Sequence, residues 1–319
     1  MQKTIRIGTR ESQLAVWQAT TVKSLLEKNG YVAELVYIKS DGDIDLQTPL
    51  YEMGVQGIFT RSLDIALLNN SIDIAVHSMK DVPTQLPKGI VQSAVLERAN
   101  YKDILVLRNS ETVDSWQLAV DGSNYQPSTI NHQLTIATSS IRRKAQWLHR
   151  YPNHSIENLR GNVNTRLRKV AESNWHGAIF AAAGLERINL RPENSIDLDW
   201  MLPAPAQGAI MVVCRENDIF CLDACQQFND TGTALCTKIE RDFLRALLGG
   251  CSTPISALAE IKNDTVYFRG NIVAVDGSAK IAIEKSVNIL EANGLGYLAA
   301  KEILEQGGQA IVDTINHAK

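Results

Sequence analysis

Long apolar runs are missing from this 319-residue chain: no window reaches the ~18 uncharged apolar residues of a membrane span. The amino-terminal stretch MQKTIRIGTR has no apolar core of a secretory signal, so a cytoplasmic protein is expected. Paired cysteines are missing as well. The five present (214, 221, 225, 236 and 251) are odd in number and lack the CxxC rhythm of a zinc site, so neither a disulfide framework nor a metal is expected. Cys221 and Cys225, four apart in a segment that could be helical, read as small core residues, and Cys214 in MVVCR as an apolar plug. No GxxxxGK[ST] is present and no GxGxxG follows a strand, which argues against a nucleotide. With 32 Lys+Arg against 35 Asp+Glu, a net charge of −3 and no aromatics interleaved with its basic clusters, the chain is not a nucleic-acid binder by composition. Any basic site must be local.

What is there is an ordinary globular composition, 45% hydrophobic and 21% charged, on a chain too long for one core. Residues 1–98 alternate strand and helix: TIRIGT, then SQLAVWQATTVKSLLEKNG, YVAELVYIKS, FTRSLDIALLNN and DIAVH. That spacing predicts βαβ units and a parallel sheet. A second such block runs from about 102 to 200, with a polar surface excursion expected at 109–133. The stretch MLPAPAQGAIMVVCRE breaks the rhythm with a Pro-rich crossover and one apolar strand that could return to the first sheet. Beyond about 227 come a helix, LCTKIERDFLRALLGG, strands with a DG hairpin turn and a final helix at roughly 293–306. Three domains are therefore expected: an α/β domain from 1–98 with 206–226, a second from 99–205, and a small α+β domain with an antiparallel sheet from 227–319.

In open α/β sheets ligands bind outside the carboxyl ends of the strands. Three such ends share one composition: Thr9-Arg10-Glu11-Ser12, Thr138-Ser139-Ser140-Ile141-Arg142-Arg143 and Arg160-Gly161-Asn162-Val163-Asn164-Thr165-Arg166. Each offers an N-cap residue with arginine in or beside the first helical turn. Cations there oppose the helix dipole by about 0.3–1 kcal/mol. Three repetitions suggest that an anion normally sits between the arginines and the exposed backbone N–H groups. The plainer reading pairs each arginine with the protein's own Asp or Glu. Arginines spread over two domains suit several carboxylates along one ligand better than one compact phosphate.

The strand DIAVH runs into Ser78-Met79-Lys80-Asp81 before Pro83. Beside so much positive charge a carboxylate stays ionised, which suits it to stabilising a developing cation rather than to acting as an acid. Its plainer reading is a turn cap or ion pair before the proline. His77 and Ser78 read as satisfied structural residues, with no third partner for a triad. In LLGGCSTPI two glycines permit close backbone approach to a ligand, and Cys251 follows on a loop, where a nearby positive charge would favour its thiolate. Of the five cysteines it is the candidate nucleophile.

Assembled in order, IGTRESQLAVWQA, DIAVHSMKDVP, TSSIRRKAQ, LRGNVNTRL, AGLERI, PAQGAI and GGCSTPI resemble the porphobilinogen deaminase (hydroxymethylbilane synthase) family over nearly the whole chain. The resemblance implies two periplasmic-binding-protein-like α/β domains plus the small α+β domain, a monomeric cytoplasmic enzyme, and a dipyrromethane cofactor held through a thioether by Cys251. It implies condensation of four porphobilinogen units onto that primer, with loss of ammonia, and release of linear hydroxymethylbilane. Asp81 would face the pyrrole N–H groups and stabilise the azafulvenium cation. Lys80, Ser140, Arg142, Arg143 and Gly208 would contact the cofactor. Arg10, Ser12, Arg160, Arg166, Arg187 and Gln207 would contact the substrate, with Gln207 and Gly208 in the interdomain crossover. No nucleic-acid or membrane partner is implied.

Three features depart from the family pattern: Glu52 and Gln56 where lysines are common, Asn164 where glycine is frequent, and PAPAQG, whose Pro205 stiffens the expected hinge. The competing readings are a non-enzymatic binding protein for a carboxylated solute and an inactive relative.

Overall fold

The computed structural model describes residues 3–39, 60–108, 133–247 and 253–317. The segment 109–132, the Glu52 and Gln56 loop, and Cys251 lie outside the described residues. The first lobe is built on a five-stranded sheet of order β2-β1-β3-β10-β4, formed by β1 (Thr4–Thr9), β2 (Val32–Tyr37), β3 (Ile74–Ser78), β4 (Ile90–Val95) and β10 (Ile210–Arg215). The second has the order β7-β6-β8-β5-β9, from β5 (Asp103–Leu107), β6 (Thr135–Ala137), β7 (Ser155–Glu157), β8 (Gly177–Ala181) and β9 (Ser195–Asp197). A third, antiparallel sheet joins β11 (Ile255–Lys262), β12 (Thr265–Val273) and β13 (Lys280–Asn288). This is the architecture of two α/β lobes and a small α+β domain with an antiparallel sheet.

The first two sheets are mixed, not parallel as the strand–helix rhythm predicted. β1 runs parallel to β2 and β3, but β10 is antiparallel to both β3 and β4. Likewise β6 runs parallel to β7 and β8, while β5 is antiparallel to β8 and β9. A strand covered on both faces is apolar throughout whichever way it runs, so direction leaves no mark in its composition. The apolar strand after the Pro-rich stretch does return to the first sheet, between β3 and β4.

Helices cover both faces of the first sheet. Ile5, Ile7, Ile74, Val76 and Val212 pack against Ala19, Val22 and Leu26 of α1 (Gln13–Lys28). Ala75, Met211 and Val213 pack on the other face against Leu63 and Leu67 of α2 (Arg61–Leu68). In the second lobe, α3 (Ile141–Arg150) brings Trp147 onto Leu105, Ile136 and Ile179. Next come α4 (Val163–Glu172) and α5 (Ala182–Glu186), then α6 (Ile219–Gln226) after the return to the first sheet. Cys221 and Cys225 of α6 are fully buried with Cys214, and burial pushes their thiols up, to about 12 for Cys225 and about 11 for Cys214.

The third lobe packs α7 (Thr231–Ala246) and α8 (Leu295–Ile303) on its sheet, where Phe243 and Phe268 meet edge to face at 5.2 Å. The last predicted helix is shorter than expected, and a further helix, α9 (Gln309–His317), follows beyond a kink at Gly307. No helix among the described residues is long and apolar enough to cross a membrane.

The lobes meet where the chain crosses back at 203–209. Glu240 of α7 is fully buried there. Its carboxylate accepts from Arg98 Nη1 at 2.5 Å and Nη2 at 3.1 Å, from the Ala206 N–H at 2.6 Å and from the Ala259 N–H at 2.7 Å. Removing one partner of a buried pair leaves the other charge uncompensated, which costs about 3–5 kcal/mol. Glu240→Ala is therefore expected to lower the unfolding free energy by about that much, with urea denaturation as the measurement.

Candidate active site

Three helices begin at the cleft between the first two lobes, and each is capped as its sequence suggests. Ser12 accepts from the Ala15 N–H, Ser140 from the Arg143 N–H and Asn162 from the Thr165 N–H. None of the three has an acidic residue in its first turn. The ends of β1, β3, β6 and β8 and the turn after β7 converge on a cavity of about 320 Å³. Arg10, Ser12, Lys80, Asp81, Ser140, Arg142, Arg143, Arg160, Arg166 and Gln207 all line it. Arg187 and Gly208 are not among the lining residues. Arg187 instead donates from Nη2 to the Gly208 carbonyl at 2.7 Å and lies 5.7 Å over the Trp17 ring.

Asp103, which the sequence reading passed over, organises the second lobe's charges. It opens β5, is fully buried, and accepts from Arg143 Nε at 3.0 Å and Nη2 at 2.7 Å. Arg142 Nη2 lies 2.7 Å from its other oxygen, close enough for an ion pair but off the hydrogen-bonding direction. Burial alone would raise this carboxyl; the two guanidinium groups outweigh it and hold the group down at about 2. The plainer reading of the arginines thus holds for Arg143, whose Nη1 also donates to the Ile179 carbonyl at 2.9 Å. Arg142 donates from Nη1 to the Leu202 carbonyl at 2.8 Å, and its buried Nε has no hydrogen-bond partner.

Gln207 ties this network to the first lobe. Its Nε2 donates to the Tyr101 carbonyl at 2.7 Å and to Asp103 at 3.0 Å, and its Oε1 accepts from Lys80 Nζ at 3.2 Å. Burial, then the Arg143 charge, push the Lys80 ammonium down to about 8. Burial and the same arginine push Arg166, which donates to the Gly161 carbonyl at 2.7 Å, down to about 10. Gly208 has φ +88°, and a Cβ there would stand 2.6 Å from the Ala99 carbonyl oxygen, so the crossover admits only glycine at this point.

At the end of β3 the chain turns through a single 3₁₀ turn, Met79–Asp81. Ser78 is satisfied, exchanging hydrogen bonds with Gln18, a buried polar residue on the apolar face of α1. His77 is not, contrary to expectation: it is 6% exposed and its Nε2 has no partner. Burial, then the nearby Arg10, push it down to about 4. Among the described residues no hydrogen bond or ion pair to the Asp81 carboxylate is made, and no other acidic residue lines the cleft.

Among the described residues the cleft between the two α/β lobes is lined by six cations and one carboxylate, a composition suited to an anionic ligand. The comparisons with known proteins name the family. Residues 5–223 match the model of the porphobilinogen deaminase dipyrromethane cofactor binding domain, and residues 234–305 match the family's C-terminal domain. Porphobilinogen deaminase of Pelobacter propionicus is 39% identical over 98% of this chain and 97% of its own length. That of Syntrophotalea carbinolica is 38% identical over 98% and 96%. Among solved structures, the methionine-binding protein MetQ aligns with 70% of this chain and 89% of its own at 13% identity and a TM-score of 0.43.

The chain belongs to the porphobilinogen deaminase family. It is a deaminating transferase that joins four porphobilinogen molecules head to tail on a dipyrromethane primer and yields linear hydroxymethylbilane. The solute-binding and inactive-relative readings are not favoured by these matches.

The state of His77 makes stability depend on pH. Its folded pKa of about 4 lies below the ordinary 6.5, so its contribution is fully present above pH 6.5 and is lost as pH falls towards 4. Urea titrations across that window are expected to show a falling midpoint, with a shallower fall in His77→Gln.

Proposed function

We propose that Asp81 is the catalytic carboxylate and that the cleft's cations hold the carboxylates of substrate and primer. The observation that carries this reading is a carboxylate, the one acidic group among the described residues of the cleft wall, set among Arg10, Lys80, Arg142, Arg143, Arg160 and Arg166. Each porphobilinogen brings an acetate and a propionate, matching many donors spread over two lobes. Ser12 and Ser140 accept from helix N–H groups and keep their hydroxyl protons to donate to an anion. The buried Arg142 Nε is a donor still waiting for an acceptor, which fits a carboxylated pyrrole ligand.

Asp81 then stabilises the cation that develops on the substrate when ammonia departs, at a point the lobes shield from water. Arg10, Arg160 and Arg166 orient the incoming unit by its carboxylates, while Lys80 and Arg142 hold the primer, joined by the N–H groups of Arg143 that are not given to Asp103 and Ile179. Arg187, Gln207 and Gly208 support the crossover, since their groups are engaged with one another and with the backbone. Cys251 would hold the dipyrromethane, which would supply the free pyrrole carbon from which the chain is started. The three sheets favour domains of 1–98 with 206–226, 99–205 and 227–319; a monomer that works in the cytoplasm is part of the same proposal, carried by the family resemblance.

Asp81→Ala is expected to retain the fold by circular dichroism and to lose turnover by at least about 10²-fold. Near-wild-type turnover in that variant would sink the assignment. The intact mass of the protein is expected to exceed the sequence mass by two pyrrole units, with no increment in Cys251→Ser. An equal increment over the sequence mass in both proteins, before and after incubation with porphobilinogen, would remove Cys251 as the attachment point.

A further inference from the structure

The turn that carries Lys80 and Asp81 is held from outside its own lobe. Arg241, half-buried on α7 of the third lobe, donates from Nη2 to the Pro83 carbonyl at 2.6 Å, and from Nη1 to the Val82 carbonyl at 2.9 Å and the Met79 carbonyl at 3.3 Å. These carbonyls bracket Asp81 on both sides in sequence. Within the turn the main backbone bond is Val82 N–H to the Met79 carbonyl at 3.2 Å, a single closure of a three-residue helix. One such closure is weak support for a side chain that must face a reacting centre. A planar guanidinium on three carbonyls is strong support, because charge-assisted bonds are roughly twice as strong as neutral ones and the fork fixes direction. Arg241 does not line the cleft.

We propose that Arg241 is a positioning residue for the reaction: by clamping the Met79–Pro83 backbone from the third lobe, it sets the direction in which the Asp81 carboxylate meets the substrate. The position of Asp81 therefore depends on the docking of α7 against the first lobe. Glu240, the neighbouring residue on α7, fixes that docking through Arg98 and Ala206. Two successive side chains of one helix thus hold two neighbouring parts of the first lobe, the crossover and the Asp81 turn. The inference rests on the proposed role of Asp81.

The test replaces Arg241 by Met, which keeps an unbranched stem without the fork, and by Lys, which restores a single donor group. Full-length protein is loaded with its primer and assayed with porphobilinogen. A displaced Asp81 is expected to lower kcat by about 10–10²-fold in Arg241→Met while KM stays within about threefold, since the carboxylate-binding arginines are untouched. Arg241→Lys is expected to recover part of kcat. Hydrogen exchange provides a readout independent of turnover: the Val82 amide is expected to lose protection in Arg241→Met, with global unfolding changed much less. Unchanged kcat in a folded Arg241→Met, a loss expressed in KM alone, or unchanged protection at Val82 would each overturn the proposal. If Arg241→Met does not fold, the same criteria apply to Arg241→Lys. If Asp81→Ala retains turnover, the reading of the site fails. If Asp81→Ala is inactive and the Arg241 variants are normal, only the positioning role fails.

Discussion

Two buried carboxylates, Asp103 and Glu240, hold the place where the three lobes join. The crossover between them is conformationally demanding: Ala206 has φ +62° and Gly208 φ +88°. A non-glycine residue in the left-handed region persists only when its surroundings over-determine it. Here Glu240 accepts the Ala206 N–H, Arg98 donates from Nε to the Gln207 carbonyl at 2.8 Å, and Arg187 donates to the Gly208 carbonyl. Gln207 is left with its amide clamped between Lys80 and Asp103. The result is a hydrogen-bonded knot that ties Lys80 of the first lobe to Arg142 and Arg143 of the second through Gln207 and Asp103.

The knot matters because the first two lobes are topological twins. In each sheet two neighbouring strands run parallel to the first, and one antiparallel strand separates the third from the far edge. The antiparallel strand is the crossing chain itself, β5 on the way out and β10 on the way back. The β1–α1 turn with Arg10 and Ser12 and the β6–α3 turn with Ser140, Arg142 and Arg143 are therefore equivalent places on facing sheets. Twin lobes joined by twin crossings bring like charge to like charge across a cleft. Asp103 offsets part of this charge in the second lobe, and an anion between the lobes would offset more.

Much of this was legible in the sequence, and what was not has physical reasons. The three N-caps could be read because capping is local, a matter of one side chain and the N–H groups two or three positions on. The arginines could be read for the same reason. Asp103 and Glu240 could not, although each left a trace: an acidic residue at the head of an apolar strand, and another within the apolar stripe of Cys236, Ile239 and Phe243. Their partners are distant, since Arg98 lies 142 residues from Glu240 and Gln207 lies 104 from Asp103. β4 was missed because Gln92 and Ser93 interrupt it, and Ser93 is buried against the Val212 carbonyl of a strand far along the chain. Arg241 left no trace at all, because it binds backbone carbonyls, which no sequence pattern advertises.

The charge balance of the cleft bears on the chemistry as much as on binding. Asp81 faces a wall of six cations, of which Arg142 and Arg143 are partly compensated by Asp103. Two unit charges 4 Å apart interact by about 4 kcal/mol at an effective dielectric constant near 20, so cations lining the cleft oppose any cation forming on the substrate. One carboxylate does not offset them. On the proposed reading the substrate's own carboxylates do: each unit brings two, and once these rest on the arginines the field at Asp81 turns from hostile to favourable. Binding and rate enhancement are then the same interaction seen at two stages. A pyrrole lacking those side chains would lose turnover even when held in place, because the site would stay too positive for its cation to form.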